Sequence, residues 1–526
     1  MRIVSSAEMR EIDRITTERF GVPSLTLMEN AGSAVARFVL QQYPDKKRVL
    51  VVCGKGNNGG DGFVAARKLH EGGKDVAVVL LAHPDEVKGD AKKMLERLPS
   101  PPNSVTTPQA LEKRRELFRS CDLLLDAIFG TGFRPPLPDL AATALELILQ
   151  STATVVSVDL PSGVDADSTT YRQGQVCRSD AIVTFTAPKS AVIFGWFTNG
   201  PIVTAQIGSP PEAVNSSLAL NWNRRPYFTI PKREPNSNKG MYGHALIIGG
   251  SLGKSGAPTM SAMAALRSGA GLVTAAVPRS VLPIVAGAIP ELMTEALDEN
   301  ASGSLSRQAL DTAQSDRLLA RKNVVALGPG LGSDADTAKA VREFVARCSR
   351  PLVIDADGLN AFAGNAKLLD GNDRPLVLTP HPGEMARLIA MPISEIESNR
   401  IEVARNFARE HHLILVLKGW RTLIADAQGE IWVNTTGNPG LAKGGSGDVL
   451  TGIIVGLIAQ FPRPLIEAVR LAVYLHGLAA DLALEKQTER TMLASDVIAA
   501  LVPAFRHLEK PSDDFAWIQG EAQHRA

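Results

Sequence analysis

The sequence predicts an α/β fold in two domains, and three observations lead to this prediction. The chain has 526 residues, which is too long for one ordinary hydrophobic core. Short apolar runs alternate with segments of helical periodicity, as in parallel sheets that are covered by helices on both faces. A stretch rich in Pro and Asn, from 209 to 238, separates two such series. We therefore predict domains over 1–215 and 236–510, a linker over 216–235 and a loose tail over 511–526.

The first domain is predicted to begin with a helix. Ser5 and Glu8 have the spacing of a capping box, and apolar residues follow them at helical spacing. An apolar run at 48–53 then reads as a buried strand, and the Gly-rich loop after it leads into a helix over 60–71. Further strands are predicted at 76–81, 123–127, 154–159, 181–186 and 202–207.

The second domain repeats this alternation. Its predicted strands are 245–248, 272–277, 324–327, 352–355, 376–379 and 413–417. Two more runs, 422–425 and 431–434, flank Gln428 and Gly429 and are typical of a hairpin. The remaining segments are rich in helix formers and predict helices at 452–460, 465–485 and 495–507.

Composition narrows the classes of function. The net charge of +1 gives no indication of a polyanionic partner such as nucleic acid. No uninterrupted apolar run approaches the roughly 20 residues of a membrane span. The four cysteines lack metal-binding spacing and indicate reduced thiols, and the N-terminal residues lack the apolar core of a signal peptide. We therefore expect a cytoplasmic protein.

A glycine-rich loop follows the first strand. Gly54, Gly56 and Gly59 fit the G-x-G-x-x-G spacing, which places a pyrophosphate at a helix N-terminus. The acid that usually binds the ribose hydroxyl is not evident at the end of the second strand. The loop therefore favours ligand binding over a plain tight turn, in a Rossmann-like doubly wound sheet, without indicating an ordinary NAD dehydrogenase.

Two acids end predicted strands of the first domain. Asp126 and Asp159 are each followed by a loop that contains glycine. Ligands of open α/β sheets gather at this edge, although a single such Asp could equally cap a helix or form a turn. Asp159 is a candidate base for proton transfer. Asn58, Asp126 and Ser162 offer hard oxygen ligands for a cation.

Three segments of this half resemble the NAD(P)HX epimerase family. They are Leu-Met-Glu-Asn-Ala-Gly at 27–32, Asn-Asn-Gly-Gly-Asp-Gly at 57–62 and Ser-Val-Asp-Leu-Pro-Ser-Gly at 157–163. The resemblance covers about 1–210 and implies that the first domain interconverts the R and S epimers of hydrated NADH and NADPH. It implies that Asp159 assists proton transfer and that Asn58, Asp126 and Ser162 hold potassium. The substrate contacts that it implies are Asn57, Asn58, Gly59, Gly60, Asp61, Gly130, Thr131, Gly132, Phe133, Arg134, Pro135, Pro136 and Asp159.

A second glycine-rich loop, Lys-Gly-Gly-Ser-Gly-Asp at 443–448, precedes a strongly apolar helix. Its backbone N–H groups and the helix dipole could hold an anion. The carboxylate of Asp448 could then activate a hydroxyl for phosphoryl transfer. A glycine-rich turn with an N-capping Asp is the alternative. The segment 249–255 is not a P-loop, because Ile248 stands where that motif requires glycine.

Other polar residues follow predicted strands of the second half. His381 could be a satisfied polar residue or a ligand contact, and Glu384 could orient magnesium-bound water or favour a helix start. Lys418 and Arg421 could contact phosphate or lie on the solvated surface. The glycines at 328–332 follow another strand of this series.

Three segments of this half resemble the NAD(P)HX dehydratase family, which has a ribokinase-like fold. They are Thr-Pro-His-Pro-Gly-Glu at 379–384, Val-Leu-Lys-Gly at 416–419 and the run 438–452. The resemblance covers about 225–510 and implies removal of water from the S epimer, with ADP converted to AMP in bacterial members. It implies substrate contacts at Ala257, Gly330, His381 and Asp448. It implies nucleotide contacts at Lys418, Gly419, Trp420, Arg421, Thr422 and Gly447. Because the site resembles that of a kinase, we expect an anion hole at Gly444, Gly445, Ser446 and Gly447, and Mg²⁺ at the nucleotide phosphates, with Glu384 as a candidate to orient its water.

The leading hypothesis is a bifunctional repair enzyme, in which the epimerase supplies the S form that the dehydratase consumes. It predicts NADHX, NADPHX, ADP, K⁺ and Mg²⁺ as partners, in a homo-oligomer. The alternative is a vitamin- or sugar-type small-molecule kinase with an accessory nucleotide-binding domain, which would yield a stable phosphorylated product. A non-enzymatic nucleotide sensor is a further alternative, but it would predict decayed catalytic positions, whereas Asp159 and Asp448 are present.

Overall fold

The computed structural model describes residues 1–171, 174–225, 230–510 and 514–524. The strands of these residues are β1 (Arg48–Cys53), β2 (Asp75–Leu80), β3 (Asn103–Ser104), β4 (Leu123–Ala127), β5 (Thr154–Val158), β6 (Ala181–Phe185), β7 (Ile202–Ala205), β8 (Leu220–Asn223), β9 (His244–Ile248), β10 (Leu272–Pro278), β11 (Met293–Leu297), β12 (Val324–Leu327), β13 (Leu352–Ile354), β14 (Leu376–Leu378), β15 (Ile414–Leu417), β16 (Leu423–Ala425), β17 (Ile431–Asn434) and β18 (Phe515–Gln519).

The α-helices of these residues are α1 (Ser6–Glu18), α2 (Ser24–Gln42), α3 (Asn57–Glu71), α4 (Gly89–Glu96), α5 (Pro108–Glu112), α6 (Arg115–Ser120), α7 (Asp139–Gln150), α8 (Ser190–Phe194), α9 (Gly256–Arg267), α10 (Leu282–Ala288), α11 (Thr312–Leu319), α12 (Ala335–Arg347), α13 (Asp357–Asn360), α14 (Pro382–Ile389), α15 (Ile393–Ser398), α16 (Arg400–Glu410), α17 (Ser446–Gln460), α18 (Leu465–Ala483), α19 (Ala494–Glu509) and α20 (Glu521–His524).

Residues 1–222 and the described C-terminal residues 514–524 form the first of two compact units. Its sheet has the order β18-β7-β6-β5-β4-β1-β2-β3, and its neighbouring strands are parallel except for the antiparallel pair β18–β7. The strand order reverses between β1 and β4, where ligands of such sheets bind. This arrangement confirms the predicted doubly wound sheet.

After Arg48, the sequence of β1 shows no alternation of apolar and polar residues. Its residues point in turn to the two faces of the sheet, and both faces are covered. Val49, Val51 and Cys53 join a core that includes residues of α2 and α3, whereas Leu50 and Val52 join a core that includes residues of α5 and α7. Each face of the sheet therefore has its own hydrophobic core.

The predicted capping box at the start of the chain is confirmed. The Ser5 hydroxyl accepts a hydrogen bond from the backbone N–H of Glu8 at 3.2 Å, and the Glu8 carboxylate accepts one from the backbone N–H of Ser5 at 2.9 Å. These two bonds satisfy N–H groups that a helix start otherwise leaves without partners. Helix α1 therefore begins at a fixed position.

The second unit comprises the described residues from 223 to 510. The strands of its sheet follow the order β11-β10-β9-β12-β13-β14-β15-β16-β17, which reverses between β9 and β12. Pairing is parallel as far as β15, and β16 and β17 then form the predicted antiparallel hairpin. The division between the units, at Trp222 and Asn223, lies within the predicted linker 216–235, of which residues 226–229 are outside the described ranges.

Helices α17 and α18 are the most apolar part of the second unit. Residues 449–459 of α17 are all buried, in agreement with the apolar run that follows Asp448. In the ranges that the structure describes, no helix has both the length and the apolar character that a membrane span requires.

The C-terminal residues correct the sequence analysis. A loose tail is expected over 511–526, but Phe515–Gln519 forms β18 and pairs with β7. Phe515 and Trp517 are buried, and their rings lie 5.7 and 6.5 Å from that of Phe38. The prediction fails because this strand is only five residues long and its partner lies more than 300 residues earlier in the chain.

Candidate functional sites

A cavity of about 680 Å³ lies in the first unit, where the strand order reverses. Ten of the thirteen predicted substrate contacts line it: Asn57, Asn58, Asp61, Gly130, Thr131, Gly132, Phe133, Arg134, Pro136 and Asp159. Gly59 and Gly60 have a different position, because a Cβ there would lie 1.9 Å from the carbonyl oxygen of Gly54 or 2.6 Å from the sulfur of Met28. These two glycines allow α3 to pack closely.

Asp159 is the most strongly held acid of this cavity. Its Oδ1 accepts hydrogen bonds from Lys189 Nζ at 2.7 Å and from Thr184 Oγ1 at 3.0 Å. Its Oδ2 accepts bonds from the backbone N–H of Thr131 at 2.9 Å and from the Thr131 hydroxyl. Burial alone would raise the pKa of Asp159, but Lys189 and Thr131 outweigh it and lower that pKa. The carboxylate is therefore ionised at neutral pH.

Asp159 lies just beyond the end of its strand, in a left-handed backbone conformation. The strand that is predicted to include Asp159 ends at Val158, and Asp159 itself has a φ of 66°. Asp is one of the few residues besides Gly that adopt this conformation. Asp159 therefore forms the turn after β5, where it lines the cavity.

Asp13 and Asp61 also line this cavity, and their pKa values shift in the opposite direction to that of Asp159. Burial raises the pKa of Asp13 to about 6, with a smaller contribution from the negative charge of Asp159 and an opposing one from Lys189. Burial also raises the pKa of Asp61, and the charges of Asp159 and Asp13 add to this effect. Asp13 and Asp61 therefore retain their protons more readily than Asp159 does.

The predicted potassium ligands lie near this cavity. Asp126 and Ser162 are in contact, since the Asp126 carboxylate accepts bonds from the Ser162 hydroxyl at 2.5 Å and from its backbone N–H at 2.8 Å. Asn58 lies beside Gly130, where an added Cβ would be 2.9 Å from both Asn58 Oδ1 and Asp159 Oδ2. Both polar atoms of the Asn58 side chain are buried and have no hydrogen-bond partner among the described residues.

The unpartnered amide of Asn58 fits an oxygen-seeking cation. Buried amides normally have partners, so a bare one indicates a group that binds there. In the described part of the chain, no cluster of three or more His, Cys, Asp or Glu side chains is arranged to hold a metal. The donors present are amide, hydroxyl and carboxylate oxygens, which suit an alkali cation better than a transition metal.

The second site centres on a buried ion pair. Lys418 follows β15 and donates to Asp355 Oδ1 at 2.8 Å, and the Thr451 hydroxyl donates to Asp355 Oδ2 at 2.7 Å. Lys418 Nζ also lies 3.6 Å from Glu384. Burial alone would lower the pKa of Lys418, but Asp355 and Glu384 outweigh it and raise that pKa. The ammonium group therefore stays charged.

Glu384 and His381 form the start of α14. The Glu384 carboxylate accepts a bond from the backbone N–H of His381 at 2.8 Å, and the His381 Nδ1 atom accepts one from the backbone N–H of Gly383 at 3.0 Å. Of the two roles that the sequence leaves open for Glu384, the structure therefore contains the helix-start role. A role for Glu384 in magnesium binding, and one for His381 in substrate binding, remain predictions.

Asp448 lies in the first turn of α17, directly after the glycine loop. Burial raises the pKa of Asp448 to about 7, with help from the charges of Asp355, Asp357 and Glu384 and against that of Lys418. A pKa near neutrality suits a general base. The first N–H groups of α17 have no partner within the helix, so they can receive an anion beside this carboxylate.

Gly447 brings that helix start against the ion pair. An added Cβ would lie 3.4 Å from Lys418 Nζ and 3.7 Å from Asp355 Oδ2. At Gly444, by contrast, an added Cβ would meet no atom within 4 Å, and Gly445 has a φ of 95°. The loop therefore approaches Lys418 most closely at Gly447.

The predicted nucleotide-contact segment 418–422 forms a tight turn. Arg400 donates hydrogen bonds to the backbone carbonyls of Lys418, Trp420 and Arg421. Trp420 is 40% exposed, and the guanidinium of Arg421 lies 4.2 Å from its ring centroid. The turn is thus fixed on one side and offers an aromatic face on the other.

The remaining predicted substrate contacts come together where the second sheet reverses its order. A Cβ on Gly330, which follows β12, would lie 3.1 Å from the Cβ of Ala257 at the start of α9. Lys254 donates to Asp357 Oδ2 at 3.1 Å, and the backbone N–H of Gly332 donates to the same oxygen at 2.8 Å. Loops that follow β9, β12 and β13 therefore share this edge.

Sequence reasoning missed Asp13, Lys189, Asp355 and Asp357 as site residues. Asp355 and Asp357 follow β13, so their place after a predicted strand was a usable signal. Lys189 follows β6 in the same way, five residues after Thr184. Asp13 lies within an amphipathic helix, where a single acid looks like a solvated surface residue.

Comparisons with known proteins cover both units. A family model described as NAD(P)H-hydrate dehydratase matches residues 245–503, and one described as YjeF-related protein N-terminus matches residues 24–191. A bifunctional NAD(P)H-hydrate repair enzyme of Moorella thermoacetica is 42% identical over 97% of this chain and 98% of its own length. A bifunctional NAD(P)H-hydrate repair enzyme of Thermofilum pendens is 36% identical over 97% of this chain and 97% of its own length.

A solved structure matches the second half of the chain. It is an ADP/ATP-dependent NAD(P)H-hydrate dehydratase from Bacillus subtilis, co-crystallized with ATP and Mg²⁺. It is 33% identical, with a TM-score of 0.45, and the match covers 53% of this chain and 95% of that one.

Proposed function

Because this chain belongs to the bifunctional NAD(P)H-hydrate repair enzyme family, we propose that its two units catalyse the two successive steps of this repair. The first unit interconverts the R and S epimers of hydrated NADH and NADPH. The second unit dehydrates the S epimer and converts ADP to AMP and phosphate. The observation that supports this most strongly is a distinct acid at each site: Asp159 beside Lys189, and Asp448 at the glycine-rich start of α17.

The epimerase step needs a base near the hydrated carbon of the nicotinamide ring. Asp159 is suited to this role, since Lys189 keeps it ionised and Thr131 holds its orientation. The cavity of about 680 Å³ is in the size range of small-molecule sites. Potassium would be held by Asn58, Asp126 and Ser162, and it would supply positive charge for an anionic part of the substrate.

The dehydratase step must remove a hydroxyl group, and hydroxide leaves poorly. In the proposed route Asp448 takes the proton of the substrate hydroxyl, whose oxygen attacks the terminal phosphorus of ADP. The phosphorus–oxygen bond to AMP breaks, and phosphate then leaves the ring carbon as a proton leaves its neighbour. Lys418 and the N–H groups of 444–447 stabilise the transferring phosphoryl group. Magnesium, held by the nucleotide phosphates, would neutralise their charge.

The segment 418–422 is proposed to bind the adenosine nucleotide. Its turn is held by Arg400, and the exposed face of Trp420 can stack on a base. Glu384 is proposed to orient a magnesium-bound water. His381, Ala257 and Gly330 are proposed to contact the hydrated nicotinamide nucleotide at the same sheet edge.

We also propose that the chain works as a homo-oligomer in the cytoplasm. All four cysteines are unpaired and buried, which suits a reducing compartment. Light scattering of the purified protein would measure its mass in solution. A mass equal to that of one 56.0 kDa chain at all concentrations would contradict the oligomer.

The decisive experiment follows the absorbance band of NADH. Purified protein is mixed with epimeric NADHX, Mg²⁺, K⁺ and either ADP or ATP. Full recovery of NADH with ADP is expected. Recovery that stops at the S fraction would contradict the epimerase step, and efficient recovery with ATP alone would contradict the choice of ADP. A stable phosphorylated product without NADH would instead favour the small-molecule kinase.

A further inference from the structure

Asp13 lines the first cavity, but it has no role in the epimerase step as proposed above. Met9, Asp13 and Thr17 line the cavity at four-residue spacing, so one face of α1 forms part of its wall. The Asp13 Oδ1 atom is buried and has no hydrogen-bond partner among the described residues. A buried carboxyl oxygen without a partner is costly for stability alone, which indicates that it acts on a bound group.

We propose that Asp13 is the proton donor of the epimerase, acting from the helix wall while Asp159 accepts a proton at the strand ends. This inference rests on the proposed epimerase activity. It adds a second catalytic carboxyl group, contributed by α1, to the site at the edge of the sheet.

The electrostatics of the cavity support two different roles for these acids. The pKa of Asp159 is lowered, with Lys189 as its cation, whereas burial raises the pKa of Asp13 to about 6. Two carboxyl groups whose pKa values are pushed apart can serve as base and acid in one reaction. Burial also raises the pKa of the neighbouring Asp61, but of these two acids only Asp13 has a buried carboxyl oxygen without a hydrogen-bond partner among the described residues.

The charges that face Asp13 come from several elements. Asp61 lies on α3, Asp159 follows β5, and Lys189 precedes α8. The other charged residues that line the cavity are Arg10, Lys55, Asp90 and Arg134. Lys189 opposes the retention of a proton by Asp13, and Asp159 favours it. The pKa of Asp13 therefore depends on the ion pair that keeps Asp159 ionised.

In the proposed step, the hydrated carbon loses its hydroxyl group from one face of the ring and gains one on the other face. The bond between the hydrated carbon and its oxygen breaks, its electron pair stays with oxygen, and the Asp13 proton converts that oxygen into water. The lone pair of the ring nitrogen fills the vacated position on carbon. Water then adds to the other face and gives its proton to Asp159. Proton exchange with cavity water returns Asp13 and Asp159 to their starting states.

Hydrogen bonds fix α1 relative to the predicted substrate loop. Asp167 accepts bonds from the backbone N–H and the hydroxyl of Ser6 at 2.6 and 2.7 Å, and Arg134 Nη2 lies 2.8 Å from the same carboxylate. Arg134 also donates to the carbonyl of Phe133 at 2.8 Å. The helix that carries Asp13 is therefore tied to the loop 130–136, which lines the cavity.

The test uses the full chain with purified R or S epimer, ADP, Mg²⁺ and K⁺, and it measures NADH formation. Asp13→Asn is expected to lower kcat from the R epimer by about 100-fold with little change in KM. Turnover of the S epimer should stay unchanged, because it needs only the second unit. Glu11→Gln, a change at an exposed residue of the same helix, should leave both rates unchanged.

The pH dependence distinguishes a proton donor from a structural residue. The rate from the R epimer should fall as pH rises through the pKa of Asp13, and this limb should disappear in Asp13→Asn. Asp13→Glu should restore part of the rate that Asp13→Asn loses. The pH at which its rate falls should differ from that of the wild type. Turnover of the R epimer by Asp13→Asn within about threefold of the wild-type rate would overturn the proposal, and so would persistence of the same alkaline limb in Asp13→Asn. Failure of the wild type to use the R epimer would instead overturn the proposed epimerase activity.

Discussion

The ammonium group of Lys418 lies 2.8 Å from Oδ1 of Asp355, and this ion pair links the ends of two strands of the second sheet. The side chain of Asp355 is only 2% exposed and that of Lys418 18% exposed. Thr451 of α17 donates to the other carboxylate oxygen at 2.7 Å. The Asp355 carboxylate therefore joins Lys418, which is proposed to face the phosphate, to the first half of α17.

Lys418→Met should destabilise the second unit by about 3 kcal/mol, because it leaves the buried carboxylate of Asp355 without its cation. The double variant Lys418→Met with Asp355→Asn should recover part of the lost free energy of unfolding, because the uncompensated negative charge of Asp355 is then removed. Chemical denaturation of the wild type and of both variants measures the effect. A double variant less stable than Lys418→Met alone would contradict the pairing as a structural link.

Asp448→Asn should lower the dehydratase rate by about 100-fold or more, because the proposed base is lost. In the wild type the rate should rise with pH through about 7, the pKa of Asp448, as the carboxylate becomes ionised. A rate that falls with pH over this range would contradict the role of base.

The raised pKa of Asp448 should also make the stability of the folded protein depend on pH. Folding raises the Asp448 pKa from 3.8 to about 7, so its contribution to stability is complete below about pH 4 and is lost as pH rises through 7. Asp448→Asn should therefore have a higher Tm than the wild type at a pH above 7, and the gain should shrink at a pH near 5. Equal Tm values above neutrality would contradict the burial of this charge.

Gly447→Ala should weaken nucleotide binding without destabilising the fold. Neither Gly447 nor Gly444 has a positive φ, and an added Cβ at 447 would lie 3.4 Å from Lys418 Nζ, where the phosphate is proposed to bind. We expect the KM for ADP to rise roughly tenfold, equivalent to about 1.4 kcal/mol. Gly444→Ala is the matched control, because its Cβ would meet no atom within 4 Å. An equal rise in both variants would contradict a specific contact at Gly447.

Ser162→Ala should raise the K⁺ concentration needed for half-maximal epimerase activity, because it removes one of the proposed ligands. Ser157→Ala is the matched control, since Ser157 also donates to Asp126, at 3.2 Å, but is not a proposed ligand. Titrating KCl at constant ionic strength measures the effect, with S-epimer turnover as the internal reference. The same K⁺ dependence in both variants would contradict the proposed site.

The sequence predicted most of the fold because buried parallel strands leave a clear signal. β1, β4 and β12 each contain an apolar run, interrupted only by Arg48 at the start of β1 and by Asp126 near the end of β4, and their bounds match the prediction. The strand β18 was missed because its pairing with β7 depends on contacts far away in the chain. β11, with exposed Met293, lacks a continuous apolar run and was missed for that reason.

Both candidate acids were predicted from local patterns. Asp159 directly follows a strand, and Asp448 directly follows a glycine-rich loop at the start of α17. Lys189 and Asp355 follow strands, which the sequence indicates, but their ion pairs were not predictable, since Asp159 is 30 residues from Lys189 and Lys418 is 63 residues from Asp355. Sequence patterns report local structure well, but they do not report which distant charges meet.

The most direct test of two separate sites compares Asp159→Asn with Asp448→Asn, each supplied with ADP and, in separate reactions, with purified R or purified S epimer. We predict that Asp159→Asn still converts the S epimer to NADH but uses the R epimer very slowly. Asp448→Asn should form no NADH yet still convert R to S, which chromatography of the epimers would detect. A mixture of the two variants should restore NADH formation from the R epimer. Loss of both activities in either correctly folded variant, or a mixture that restores nothing, would contradict the assignment of one step to each unit.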